Sequence, residues 1–171
     1  MKYTERPTVS VDVVIDASAE AIWELVSDIT LPARFSTELA GAEWLGDDPA
    51  PGVGARFAGH NRHAAIGEWQ TECVVTAYEP LRCFEWCVGD PLHPSSIWRF
   101  TITETDGEGD AGSVRLEQWF QMGPARSGLN AAIDAMPDKE DRIIERRLGE
   151  HRSNMEANLA GIKALAEGGS P

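Results

Sequence analysis

Apolar and polar residues alternate at Val9, Val11, Val13 and Ile15, the period of a strand with one buried face. Asp16-Ala17-Ser18 breaks that alternation, and Ser18 is placed to cap a helix with Glu20 and Ala21 in its first turn. Ile22, Leu25, Val26 and Ile29 then recur at helical spacing beside Trp23. Pro32 ends or restarts the segment, so Leu31 to Phe35 predicts a second short helix. From Gly41 the period returns to two. Strands are predicted over 42–46, 54–62, 68–78, 83–88, 96–103 and 113–122. The stretches between them, DDPAPGVG, HAAIG, Glu79-Pro80, GDPLHPSS and ETDGEGDAG, carry turn chemistry. GPARSGLNAAIDAMPD predicts irregular chain with one short helical turn. From Asp138 to Ala166 the pattern is helical and free of proline, about twice the usual helix length.

One strand, short helices, six strands and a long helix make an α+β chain. Hairpin-length connections between consecutive strands imply an antiparallel, meandering sheet. The sheet must bury one face, and the C-terminal helix is the element available to cover it. A length of 171 residues, with no internal repeat and no linker, suits one domain over 1–171. The end, 167–171, reads EGGSP and is expected to fray.

Alternation divides each strand into two faces. The apolar faces, assigned inward, hold Phe57, Gly59 and Asn61 on one strand and Trp69, Thr71, Cys73 and Val75 on the next. Phe84, Trp86 and Val88 follow, then Trp98, Phe100 and Ile102. Val114, Leu116, Gln118, Phe120 and Met122 complete the set. Cys83, Glu85, Cys87, Arg56, Arg62, Tyr78, Arg99 and Arg115 are assigned outward, and Trp44 stands at an edge. On the long helix, Ile144, Leu148, His151, Met155, Asn158, Ile162 and Leu165 form one stripe.

The order of elements, together with VSVDVVIDASAEAIWELVSD, PGVGARFAGHNR, EWQTECVVTAYEPLRCFEWCVG, IWRFTITETDGEG and SVRLEQWF, resembles the helix-grip fold of the START-like (SRPBCC) superfamily. Within it the chain is similar to the bacterial polyketide cyclase/dehydrase-type branch, from about Val9 to Ala166. The resemblance implies a curved antiparallel seven-stranded sheet wrapped around the long C-terminal helix. Two short helices would follow strand 1, and a cavity would lie between sheet and helix. This superfold hosts lipid carriers, cyclases, hormone receptors, oxygenase subunits and chaperone activators, so function has to be argued from the site.

Polar residues on the inward faces point to that site. Asn61, Thr71, Gln118, His151 and Asn158 stand where a plain core would be apolar, and each costs about 1–3 kcal/mol if buried unpaired. They pair with one another, with water or with a ligand. A predicted ligand-binding set follows: Phe57, Asn61, Trp69, Thr71, Cys73, Phe84, Trp86, Trp98, Phe100, Leu116, Gln118, Phe120, Leu148, His151, Met155 and Asn158. Six tryptophans, most of them on strands, suit a flat or aromatic ligand. The first expectation is therefore a module that binds a small hydrophobic, lipid- or polyketide-like molecule. The alternative is a cyclase/dehydratase-like enzyme acting on a poly-β-carbonyl chain. There His151 would be the general acid/base, and Asn61 and Gln118 would polarise a carbonyl. A third expectation is a protein-gripping module of the chaperone-activator kind, in which charged loops such as ETDGEGDAG matter more.

Charge and motifs narrow the partners. Asp and Glu outnumber Lys and Arg by 28 to 15, a net charge of −13, which opposes nucleic acid and anionic lipid. Arg142, Arg146, Arg147 and Arg152 sit among acids, and the run from Asp138 to Arg147 reads as the solvated side of the helix. No apolar run approaches the roughly 18 residues of a membrane span, and no export signal is legible, so a cytoplasmic location is expected. Three cysteines, Cys73, Cys83 and Cys87, suggest no disulfide framework. His60 and His63 would point to opposite faces of one strand. No metal is expected, because Cys83 and Cys87 form no C-x-x-C pair and the two histidines share no face, and no cofactor is expected, with no P-loop or G-x-G-x-x-G motif and no G-x-S-x-G nucleophile motif legible. No exposed apolar stripe is legible that would set an oligomeric state.

Overall fold

The strands form one antiparallel seven-stranded sheet in which the first strand (Thr8–Ile15) pairs with the last (Ser113–Met122) and the others follow in reverse chain order. The computed structural model describes residues 1–47, 50–105 and 112–168. Most of the ETDGEGDAG loop (106–111) and the end of the tail (169–171) lie outside them. β1 (Thr8–Ile15) is followed by α1 (Ala19–Val26) and a 3-10 turn (Leu31–Arg34). Then come β2 (Leu39–Leu45), β3 (Arg56–His63), β4 (Gly67–Glu79), β5 (Cys83–Val88), β6 (Ser96–Thr105) and β7 (Ser113–Met122). A two-turn helix, α2 (Leu129–Ala135), stands where irregular chain with one helical turn is expected. α3 (Glu140–Ala166) closes the fold. Among the described residues no helix is long and apolar enough to cross a membrane.

Local chemistry accounts for the element ends. Ser18 accepts from the Ala21 N–H and starts α1 as a side-chain cap. The Asp28 carboxylate accepts from the Thr30 N–H and hydroxyl, turning the chain out of α1. One face of the sheet carries buried side chains on every strand from β3 to β7, with Phe57, Cys73, Val75, Phe84, Phe100, Leu116 and Phe120 all under 6% exposed.

Two outward assignments need correction. Thr76 and Ala77 together oppose Glu85, a β-bulge in β4 that shifts the register after Val75. One extra residue reverses the alternation, so Tyr78 turns inward and meets Trp23 and Phe84 edge-on, at ring distances of 5.0 and 5.8 Å. Cys87 keeps its place on the outer face but is buried. It is a small side chain between the cross-strand neighbours Val74 and Ile97.

α3 runs along the concave side, anchored on both flanks. Toward β1, Lys163 donates to the Val14 carbonyl at 2.7 Å, and Glu167 accepts from the Asp16 N–H at 2.9 Å. At its start Glu140 accepts from the Tyr3 N–H at 2.8 Å. Toward the opposite flank, Asn154 accepts from the Thr37 N–H and hydroxyl at 2.9 and 3.0 Å. Phe35 packs against Gly161 so closely that a Cβ there would stand 2.4 Å from the ring.

That last contact gives a test. Glycine inside a helix ordinarily costs about 0.5–1 kcal/mol relative to alanine. Gly161→Ala is nevertheless expected to lower stability by about 1–3 kcal/mol, through overpacking against Phe35. In a Phe35→Leu background the same change should become neutral or stabilising. Thermal or urea unfolding of the four chains reads this, and a stabilising Gly161→Ala in the parent would contradict the packing.

Candidate functional site

α3 does not sit down on the middle strands. Between it and the sheet lies a cavity of about 530 Å³. Its floor is small where the strands present Gly59, Thr71 and Cys73, and its walls are aromatic where they present Phe57, Phe84, Trp86, Trp98, Phe100 and Phe120. Trp86 and Trp98 are register partners on β5 and β6 with nearly parallel rings, 7° apart and 6.4 Å between centroids. α1 and the turn after it close one end with Val26, Ile29 and Pro32. Ile66, at the β3–β4 hairpin, and Ser127 to Leu129 contribute at the rim.

Of the sequence-predicted ligand residues, all but Leu116 and Leu148 line this cavity. Leu116 is fully buried between Val13 and Ile102, in the core that α3 covers near β1 and β7. Leu148 packs on the core one turn before Arg152, whose guanidinium donates to the Ser10 carbonyl, so it stands on the β1 flank of the helix. Both lie on the predicted stripes, at points where the stripe meets core rather than open space.

The inward polar residues find different partners. Asn61 Nδ2 donates to the Gly59 carbonyl and Thr71 Oγ1 at 3.2 and 3.4 Å, and Thr71 donates to the same carbonyl at 3.3 Å. Asn158 Nδ2 donates to Gln118 Oε1 at 3.1 Å, across the space between α3 and β7. Asn158 Oδ1 is buried without a partner. His151 meets the rings of Phe120 and Trp98 at 4.4 and 5.1 Å and makes no hydrogen bond among the described residues. Burial, with the positive charge of Arg147 one turn away, pushes its pKa down to about 3. The ring is therefore neutral at pH 7. Burial likewise pushes the Cys73 thiol up to about 12, so it carries no thiolate there.

Sequence reasoning missed Arg147. It belongs to the run assigned to the solvated side, yet it is half-buried and lines the cavity. Its guanidinium donates to both Glu38 carboxylate oxygens at 2.6 and 2.5 Å, and to Glu150 at 3.1 Å. Burial alone would lower its pKa, but the two carboxylates more than offset that and hold it charged. The available signal was its position, four residues before His151 and so on the same face of the helix. Glu38 and Asn154 also line a smaller pocket of about 260 Å³ with His63 and Glu150, so they stand between it and the main cavity. His60 turns to Glu43 instead, at 3.1 Å, so the two histidines face opposite ways.

This arrangement matches known proteins. A family model described as polyketide cyclase / dehydrase and lipid transport matches residues 6–167. The chain belongs to that family. A solution structure of a polyketide-cyclase-like protein from Corynebacterium glutamicum is 28% identical and superposes with a TM-score of 0.62, covering 94% of this chain and 91% of the other. The Zhui aromatase/cyclase from Streptomyces sp. R1128 is 18% identical, with a TM-score of 0.63 and coverage of 96% and 99%. The di-domain ARO/CYC BexL from the BE-7585A biosynthetic pathway is 17% identical at a TM-score of 0.67; the match spans 96% of this chain and 51% of BexL. At those identities the two enzymes share the fold with this chain. No curated protein matches the sequence.

The buried imidazole has a measurable consequence. Unfolded, His151 titrates near its ordinary 6.5; folded, it titrates near 3. Between those values the unfolded chain binds the extra proton, so acidification destabilises the fold. Toward the sheet His151 meets only aromatic rings, and Arg147 is the charge beside it on α3. His151→Leu should therefore flatten the stability-versus-pH profile below pH 6.5 by up to about 1.4 kcal/mol per pH unit. Parallel profiles for the two chains would contradict the assignment.

Proposed function

We propose that the chain binds a small hydrophobic or aromatic molecule, of lipid- or polyketide-like character, between the sheet and α3. The observation that carries this reading is the cavity itself: about 530 Å³, within the usual range for small-molecule sites, with an aromatic wall and isolated polar groups. A chain that needed only a core would fill such a gap, because a void leaves the atoms around it without dispersion partners on one side. Membership of the polyketide cyclase / dehydrase and lipid transport family agrees with it.

A cyclase/dehydratase reading draws on one observation, a histidine in the cavity wall with free ring nitrogens. Three features weigh against it. His151 is neutral at pH 7 and its protonated form is strongly disfavoured. Among the described residues no hydrogen bond fixes its tautomer, and the one guanidinium lining the cavity is already held by Glu38 and Glu150. General acid catalysis wants a group poised near the working pH. The protein-gripping reading draws on loop charge that lies largely in 106–111, outside the described residues.

Native mass spectrometry with the uncharged tricycle anthraquinone tests the binding reading. One molecule per chain is expected. Cys73→Phe, which keeps the wall apolar while filling the floor, should weaken binding at least about tenfold. No adduct, or equal adducts in both chains, would contradict cavity binding.

A further inference from the structure

Among the described residues, Arg147 carries the one guanidinium that lines the cavity. Its charge acts inward: burial and this charge together disfavour a proton on His151, one turn further along α3. A guanidinium so placed would ordinarily recruit an anion, because its planar fork of N–H groups matches a carboxylate bidentately. In this chain the fork is filled from within. Nη1 and Nη2 donate to the two oxygens of Glu38 at 2.6 and 2.5 Å, one arm to each. The two side chains are 15% and 13% exposed, so the pair is largely shielded from solvent and salt.

Glu38 also lines the cavity, and its position is fixed independently of the ion pair. Its N–H donates to the Ser36 hydroxyl at 3.0 Å, and its carbonyl accepts from the Arg62 N–H at 2.9 Å. Glu150 accepts from Nη1 of Arg147 at 3.1 Å, but it lines the smaller pocket and not the cavity. It also accepts from the exposed Arg146 at 3.1 Å. The two carboxylates around Arg147 are therefore not equivalent. Glu38 occupies the fork at the cavity wall, and Glu150 touches one arm from behind. A carboxylate on a ligand would have to give up its water shell, find the fork taken, and stand beside Glu38.

We propose, resting on the binding reading above, that Glu38 sets the charge of the molecule the cavity accepts. It fills the Arg147 fork with a carboxylate of the chain's own, leaves a ligand carboxylate without a partner, and makes the site selective for uncharged molecules.

The test is a fluorescence titration at neutral pH with pyrenecarboxylate, its uncharged counterpart pyrenecarboxamide, and methylpyrene. The parent chain is expected to prefer the carboxamide over the carboxylate by at least about tenfold. Glu38→Gln keeps the shape of the wall, offers one acceptor instead of two, and releases an arm of the fork. It should tighten pyrenecarboxylate binding about tenfold and leave methylpyrene within about twofold of the parent. Glu150→Gln removes the same charge with the fork still filled, and should leave the carboxamide preference within about twofold of the parent's. The double variant Glu38→Gln, Arg147→Gln orphans no buried charge and keeps the test open should the single variant not fold. Its preference should stay within about threefold of the parent's; a preference about tenfold wider would show that the ligand carboxylate had been using the guanidinium, and would overturn the proposal. An unchanged preference in Glu38→Gln overturns it too, as does a gain in Glu150→Gln equal to that in Glu38→Gln. Equal binding of carboxylate and carboxamide by the parent overturns the selectivity and leaves the binding site standing. If none of the three pyrenes binds the parent, the selectivity falls together with the binding reading.

Discussion

α3 is held off the middle strands of the sheet, leaving the cavity beneath it. A 27-residue helix with an apolar stripe would ordinarily collapse onto the nearest apolar face. Here it is fastened along both sides: to β1 through Lys163, Glu167 and Arg152, and to the segment before β2 through Gly161–Phe35, Asn154–Thr37 and Arg147–Glu38. The strands between those anchors curve away beneath it and present small residues, Gly59, Thr71 and Cys73, at the floor. The gap is therefore a consequence of where the helix is tied, and the aromatic rings of β5, β6 and β7 line it without closing it.

That geometry also sets the chemistry. Among the described residues, charge at the cavity wall is held at its edges: Arg147 between Glu38 and Glu150 on one side, at hydrogen-bond distance, and Asp28, bonded to Thr30, at the end closed by α1. Deeper in, the polar groups are neutral: a depressed imidazole, an unreactive thiol and amides. The acidic surface, 28 acids against 15 bases, thus has no counterpart inside. A site of this kind orients an uncharged molecule by hydrogen bonds and excludes water. It has no free charge to offer a developing anion.

Much of this was legible in the sequence because period-two alternation is a direct report of which side chains share a face. β5 and β7 end where the pattern ends, and fourteen inward residues from five strands and one helix converge on one cavity. The failures have local causes. The bulge at Thr76 adds one residue and reverses the face of Tyr78, and nothing in EWQTECVVTAYEP marks it. Arg147 hides in a run of charges, although helical spacing sets it one turn from His151. Leu116 and Leu148 lie on the correct faces, but alternation does not say what stands opposite, and there it is packed core. Cys87 is covered by neighbours on the outer face, which a strand pattern does not show either.

Entry of a ligand into the space between α3 and the sheet would be reported by tryptophans on both sides of that boundary. Trp69, Trp86 and Trp98 line the cavity, whereas Trp119 stacks under Arg99 on the outer face of the sheet. Indole N–H signals resolved in a nitrogen-15 NMR spectrum and followed during titration with anthraquinone read the outcome directly. The signals of Trp69, Trp86 and Trp98 are expected to move together and saturate at one ligand per chain, while that of Trp119 stays in place. A saturable shift at Trp119 with the three cavity signals unmoved would contradict it.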